Sequence, residues 1–96
     1  MSGTKEQRSR QFARRRARAK EIVYLDKLSK GCSRCPEKRP STLDYHHVDP
    51  EAKKDTINRL LAKGRKDSLL REMEKCVLLC ANCHRVEEFG DGYRAF

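Results

Sequence analysis

The chain has 96 residues, 36% of them hydrophobic and none of them tryptophan, which fits one domain and excludes a core large enough to hold by apolar packing alone. No apolar run approaches the roughly 18 to 20 residues that span a bilayer, so a soluble protein with no membrane partner is expected. The net charge is +9, and residues 1–30 hold ten Lys/Arg against three Asp/Glu, a net +7 that leaves +2 for the rest.

From about Lys5 to Leu28 there is neither Pro nor Gly, and good helix formers predominate, so a helix is expected there. Arg8, Arg10, Arg14, Arg15, Arg16, Arg18 and Lys20 crowd its first two thirds, whereas Ile22, Val23, Leu25 and Leu28 gather at its end. Only that end is expected to dock on a core, with the basic front projecting or ordered on binding. A charge run is commonly just a solvated face, but seven cations within thirteen residues point to a polyanion, most simply DNA phosphates. An anionic membrane surface is the weaker alternative, because the helix lacks a broad apolar face.

Gly31 ends this helix, and GCSRCPEK over 31–38 reads as a tight turn presenting Cys32 and Cys35 to one ion. A matching pair, Cys80 and Cys83, follows about forty-five residues later, which completes the ligand count of a closed four-cysteine zinc site. No signal-like apolar segment precedes the cysteines, so reducing cytoplasm and a metal are expected rather than a secreted disulfide framework. Cys76 is left over and reads as a small core residue. Pro36 and Pro40 keep 36–42 irregular, and Thr42 to Val48 suits a short strand or one arm of a hairpin, ending at Asp49-Pro50. Residues 51–66 read as a polar, basic loop with a helical turn, broken at Gly64. Asp67 or Ser68 can cap a helix reaching Lys75, with Leu69, Leu70, Met73 and Cys76 as its buried stripe. Val77 to Leu79 suits the second hairpin strand, and Ala81 to Phe89 a helix closed by Gly90, with His84 and Glu88 on one face. The organisation expected is a basic arm over 1–30, a zinc-stapled domain over 31–90 and a loose tail over 91–96.

The combination of Cys32-x-x-Cys35, LDYHHVDP at 43–50 and EKCVLLCANCHR at 74–85 resembles the HNH endonuclease family, in its small zinc-stapled form found among phage and bacterial proteins. The resemblance covers roughly 31–89. It implies an α+β chain with a ββα-metal fold, in which a hairpin and a helix hold one catalytic divalent ion against the scissile phosphate. It further implies Cys32, Cys35, Cys80 and Cys83 as structural zinc ligands, His46 and His84 as ligands of the catalytic metal, and His47 as general base. Two positions depart from the family pattern. Lys75 stands where the middle Asn usually lies, with Asn82 nearby between two cysteines, and Glu88 stands where relatives often carry another His. A carboxylate at 88 suits Mg2+ or Mn2+.

The chemistry can be argued without the family. Hydrolysing a phosphodiester takes a deprotonated water, a positive centre on the developing charge and help for the departing oxygen. Histidine accepts a proton near neutral pH, and neighbours on a strand face opposite ways, so His46 and His47 divide the work, one as ligand and one as base. Three functions are compatible with these residues: a DNA endonuclease of low or borrowed specificity, a non-catalytic zinc-binding nucleic-acid module, and an accessory factor of a larger machine such as a phage DNA-packaging (terminase-like) complex. His46, His47 and His84 favour the first, since a pure zinc module needs none of them. The expected location is the cytoplasm, that of the host cell for a phage protein.

Overall fold

The computed structural model describes residues 4–90; the tail expected over 91–96 lies outside them. Over the described residues the architecture is α+β, with four α-helices and one two-stranded antiparallel sheet. Helix α1 runs Lys5–Lys30, and its first turn is closed by a capping box in which Thr4 and Gln7 exchange side-chain-to-amide hydrogen bonds of 2.9 and 3.2 Å. Strand β1 (Leu43–His47) pairs with β2 (Cys76–Cys80), Leu43 opposite Cys80 and His47 opposite Cys76. Between them lie α2 (Ile57–Lys63) and α3 (Lys66–Met73), and α4 (Ala81–Phe89) follows β2 directly. The strands are therefore paired as expected, and the stretch between them holds two helices, α2 and α3, where a loop and one helix were expected. No described helix is long and apolar enough to cross a membrane.

Several local expectations give way to packing. Residues 57–63 form a helix and not a loop: Thr56 caps it by accepting from the Arg59 amide at 3.1 Å, and Ile57 and Leu60 are buried. Helix α3 starts at Lys66, so neither Asp67 nor Ser68 is its cap, and it ends two residues before Lys75. Its inward stripe is Leu69, Glu72 and Met73, while Leu70 is exposed and Cys76 belongs to β2. Along α1, the docked residues are Ala19, Val23 and the half-buried Ile22, whereas Leu25 and Leu28 are 52% and 50% exposed. At 100° per residue those two leucines lie roughly 160° and 140° around the helix from Val23, facing away from α2 and α3. Val48 falls beyond the strand and is exposed.

Two small apolar clusters result. One joins Ala19 and Val23 to Ile57, Leu60, Leu69 and Met73; the other sets Leu43, Leu78 and Cys80 beside Cys32, Cys35 and Cys83, and Tyr45 touches both. Tyr45 is further held by donating to Asp26 at 2.6 Å, and burial with that carboxylate raises its pKa.

The α2–α3 corner explains why the middle of α1 does not simply project. Gly64 has φ +64°, and a β-carbon built there would lie 2.8 Å from Arg15 Cβ and 3.0 Å from the Arg15 carbonyl carbon. The turn is pressed against the backbone of α1 at a position only glycine fits. Gly64→Ala combines a left-handed conformation with an overpacked contact, and should cost about 2–4 kcal/mol. Thermal melting is expected to fall by roughly 10 °C or more; an unchanged melting temperature would show that α1 is not seated on this corner.

Candidate functional site

The first cluster is built by two short turns. The Cys32 amide donates to the Glu37 carbonyl at 2.8 Å, folding the chain back, and Ser33 ties it to β2 through its amide and hydroxyl, both 2.9 Å from the Leu78 carbonyl oxygen. Cys80 ends β2 and caps α4, its sulfur accepting from the Cys83 amide at 3.4 Å. These turns bring the Sγ atoms of Cys32, Cys35, Cys80 and Cys83 within 4.8 Å of one another, with Cys35 and Cys80 3.6 Å apart. A tetrahedral ion with metal–sulfur bonds of about 2.3 Å needs sulfurs about 3.8 Å apart, so the four thiols are close enough to hold one metal ion. Burial opposes ionisation of Cys32, but the Arg34 and Cys80 amides pointing at its sulfur outweigh it and bring the thiol down to about 6. The Cys83 thiol is pushed up, chiefly by its hydrogen bond with Cys80 and by burial. Cys76 stands apart: it donates to the Glu72 carbonyl at 3.3 Å, and burial raises it to about 11, the environment of an inert structural thiol.

The second cluster lies where α4 crosses β1. Asp44 and His46 share one face of the strand, and α4 sets His84 against both: the His46 and His84 rings meet edge-on at 5.3 Å, and His84 Nδ1 is 3.4 Å from Asp44 Oδ2. Glu88, one turn on, places Oε1 3.2 Å from His84 Nε2. Glu87, ion-paired with Arg34, is 3.9 Å from His46 Nε2. Two imidazoles ringed by carboxylates make a nitrogen and oxygen donor set suited to a divalent cation. Among the described residues, however, only the four sulfurs bring three or more ligand atoms within 4.8 Å of one another.

His47 turns the other way, as alternation along a strand requires. Its Nε2 lies 2.8 Å from Glu72 Oε2, and its side chain is only 10% exposed. Glu72, 3% exposed, also accepts from Lys75 Nζ at 2.7 Å and from the Lys54 amide at 3.4 Å. Burial alone would raise Glu72, but Lys75 and His47 outweigh it and hold the carboxyl at about 2. A carboxylate only accepts, so Nε2 carries a proton, and Nδ1 has no partner among the described residues. Lys75 continues to the Ala52 carbonyl at 2.9 Å, fastening the segment after β1 to α3. Asn82 is exposed on α4. His47, His84, Asp44, Lys27, Lys53 and Asn58 line one cleft of about 330 Å³.

The seven cations singled out on α1 are all exposed, and two of them, Arg15 and Arg18, face residues of α2 and α3 across a second cleft. The residues that reading by sequence passed over are Asp44, Glu72 and Lys27. Asp44 was signalled by its i, i+2 relation to His46, and Glu72 by a carboxylate lying on the i, i+3, i+4 stripe of an amphipathic helix.

The depression of Glu72 from 4.5 to about 2 has a sign that can be tested. A lowered carboxyl stabilises the fold above its unfolded value and loses that contribution as pH falls towards 2, here roughly 2–3 kcal/mol. Glu72→Gln should therefore be less stable than wild type by about that amount in urea at pH 7, with the gap closing between pH 4.5 and 2. Thiol protonation affects both proteins alike and cancels in the difference. A gap independent of pH would mean that Glu72 is not held as a carboxylate.

Compared with known proteins, the chain matches no family model, no curated protein and no solved structure.

Proposed function

We propose that the chain is a metal-dependent DNA endonuclease of the HNH type, a ββα-metal unit stapled by zinc on Cys32, Cys35, Cys80 and Cys83. The observation that carries this reading is the convergence made by one strand and one helix: His46 and His84 in ring contact beside Asp44 and Glu88, with His47 lining the same cleft as His84. The four-sulfur donor set suits zinc, which favours tetrahedral thiolate sites. A divalent ion such as Mg2+ or Mn2+, held by His46 and His84 with Glu88 or Asp44, would supply positive charge to the phosphate.

The rest is done by side chains. Glu72 holds the proton on His47 Nε2 and so leaves Nδ1 to take a proton from the attacking water. Lys75, at the place of the family's Asn, keeps Glu72 ionised and pins the segment following β1, so it supports the base from behind. Lys27 and Lys53, lining the cleft, contact non-bridging phosphate oxygens. The basic residues Arg8 to Lys20 of α1 hold the duplex through its phosphates, which confers affinity without sequence preference. Work in the cytoplasm, that of the host for a phage protein, fits free thiols reserved for metal.

A second reading, a zinc-binding nucleic-acid module without catalysis, is favoured by the close cover of His47 and by the carboxylates that occupy both nitrogens of His84. Supercoiled-plasmid cleavage by the zinc-loaded protein separates the two. Conversion to open-circle or linear DNA with Mg2+ or Mn2+, abolished by EDTA, is expected of the endonuclease; DNA retained in complex but uncut under every metal identifies the module.

A further inference from the structure

A cleft of about 830 Å³ lies away from the histidines. It opens between α1 and the α2–α3 corner and is lined by Arg15 and Arg18 on one wall and by Lys63, Arg65, Lys66 and Arg71 on the other, with Asp67 as its one acid. None of the six cations is ion-paired with a described residue. Like charges so placed repel one another, and a fold that keeps six of them together with a single acid among them gains from a polyanion that neutralises both walls. The walls are also fixed in spacing, because Gly64 is wedged against the Arg15 backbone between them. Phe12 lies half-exposed at the same cleft, with the Arg16 guanidinium 5.7 Å above its ring.

We propose that this groove is a second phosphate-backbone site, which seats duplex DNA at a distance from the reacting histidines. The inference rests on the endonuclease reading for what happens at the other end, and names α2 and α3 as part of the DNA-binding surface. Helix α1 is the ruler between the two places: Arg15 lines the groove and Lys27 lines the histidine cleft. Their separation along the axis is about 18 Å, or about five phosphate steps of one strand. Exposed lysines and arginines spread over two walls suit a repeating charge better than one small anion, which needs convergent, desolvated donors.

The test is the double variant Lys63→Glu/Lys66→Glu of the full chain, both residues being exposed, with zinc content and melting temperature as checks of the fold. Two readouts are taken: binding to a 30-base-pair duplex by fluorescence anisotropy against salt, and hydrolysis of bis(p-nitrophenyl) phosphate, too small to reach the groove. Loss of duplex affinity on the order of thirtyfold at physiological salt, with a salt slope shallower by about 2, is expected while the small diester is hydrolysed at the wild-type rate. Lys63→Gln/Lys66→Gln should fall between. Unchanged duplex binding overturns the proposal, as does a parallel loss of small-diester hydrolysis, which would mean the groove is not separate from the histidine cleft. Wild-type preference for poly-glutamate over duplex also overturns it, in favour of an acidic protein partner. If wild type hydrolyses neither substrate but the variant still loses duplex affinity, the endonuclease reading fails and the groove stands.

Discussion

Cys80→Ser is expected to abolish folding of the sheet and α4, and with them the histidine cluster. Cys80 does four things at once. It supplies a sulfur to the cluster, accepts from the Cys83 amide to start α4, donates its own amide to Cys32 Sγ at 3.3 Å, and pairs with Leu43 at the end of the sheet. Serine can keep the cap but is a poor ligand in a thiolate site. Metal binding to such sites is worth on the order of 10–16 kcal/mol, as much as the whole stability of an ordinary domain. The apolar cluster on this side of the molecule has only Leu43, Leu78 and Cys80 as buried members, too little to hold the sheet without the metal. Elemental analysis should find zinc in wild type and none in the variant, and far-ultraviolet circular dichroism with urea titration should show a loss that a strong chelator reproduces in wild type. A Cys80→Ser protein melting within a few degrees of wild type would mean that the thiols do not stabilise the fold through a metal.

On the proposed endonuclease reading, His47→Ala should lower the rate of plasmid cleavage by a factor of about 10²–10⁴, the usual contribution of a general base. Its zinc content and duplex affinity should stay close to wild type. The separation follows from the geometry. His47 lies on the opposite face of β1 from His46, is bonded to Glu72 and has no contact with the four sulfurs. Its removal leaves Glu72 still paired with Lys75, so the cost in stability is about 1–3 kcal/mol and not loss of the fold. Cleavage rates, zinc per chain and anisotropy are measured on one preparation. Undiminished cleavage removes His47 from the chemistry; loss of zinc together with activity would show that the two clusters are not separate sites.

The four-cysteine cluster was legible in the sequence because ligand type and spacing are local properties: a Cys-x-x-Cys turn can present two sulfurs wherever it occurs, and two such turns can offer four to one ion. The last helix was legible for the same reason, with Cys80 before it, Gly90 after it and His84 and Glu88 one turn apart. Helix α2 carried its own signals, Thr56 as cap, Ile57, Leu60 and Leu61 at helical spacing and Gly64 as stop, which the surrounding lysines and arginines masked.

What sequence alone determined is the chemistry available: four thiols for a metal, three histidines for ligation or proton transfer, and a basic first third. The tertiary structure decided which groups meet. Strand alternation separates His46 from His47, but only the packing of α3 behind the strand makes Glu72, twenty-five residues away, the partner that sets the His47 proton. Only the crossing of α4 over β1 brings Asp44 to His84 across forty residues. The leucines at the end of α1 looked equivalent until a second and third helix selected one side of it, burying Ala19 and Val23 and leaving Leu25 and Leu28 in water. Composition and spacing act through near neighbours on the chain, whereas a buried ion pair or a groove between helices depends on contacts whose sequence separation is set by the path of the whole fold.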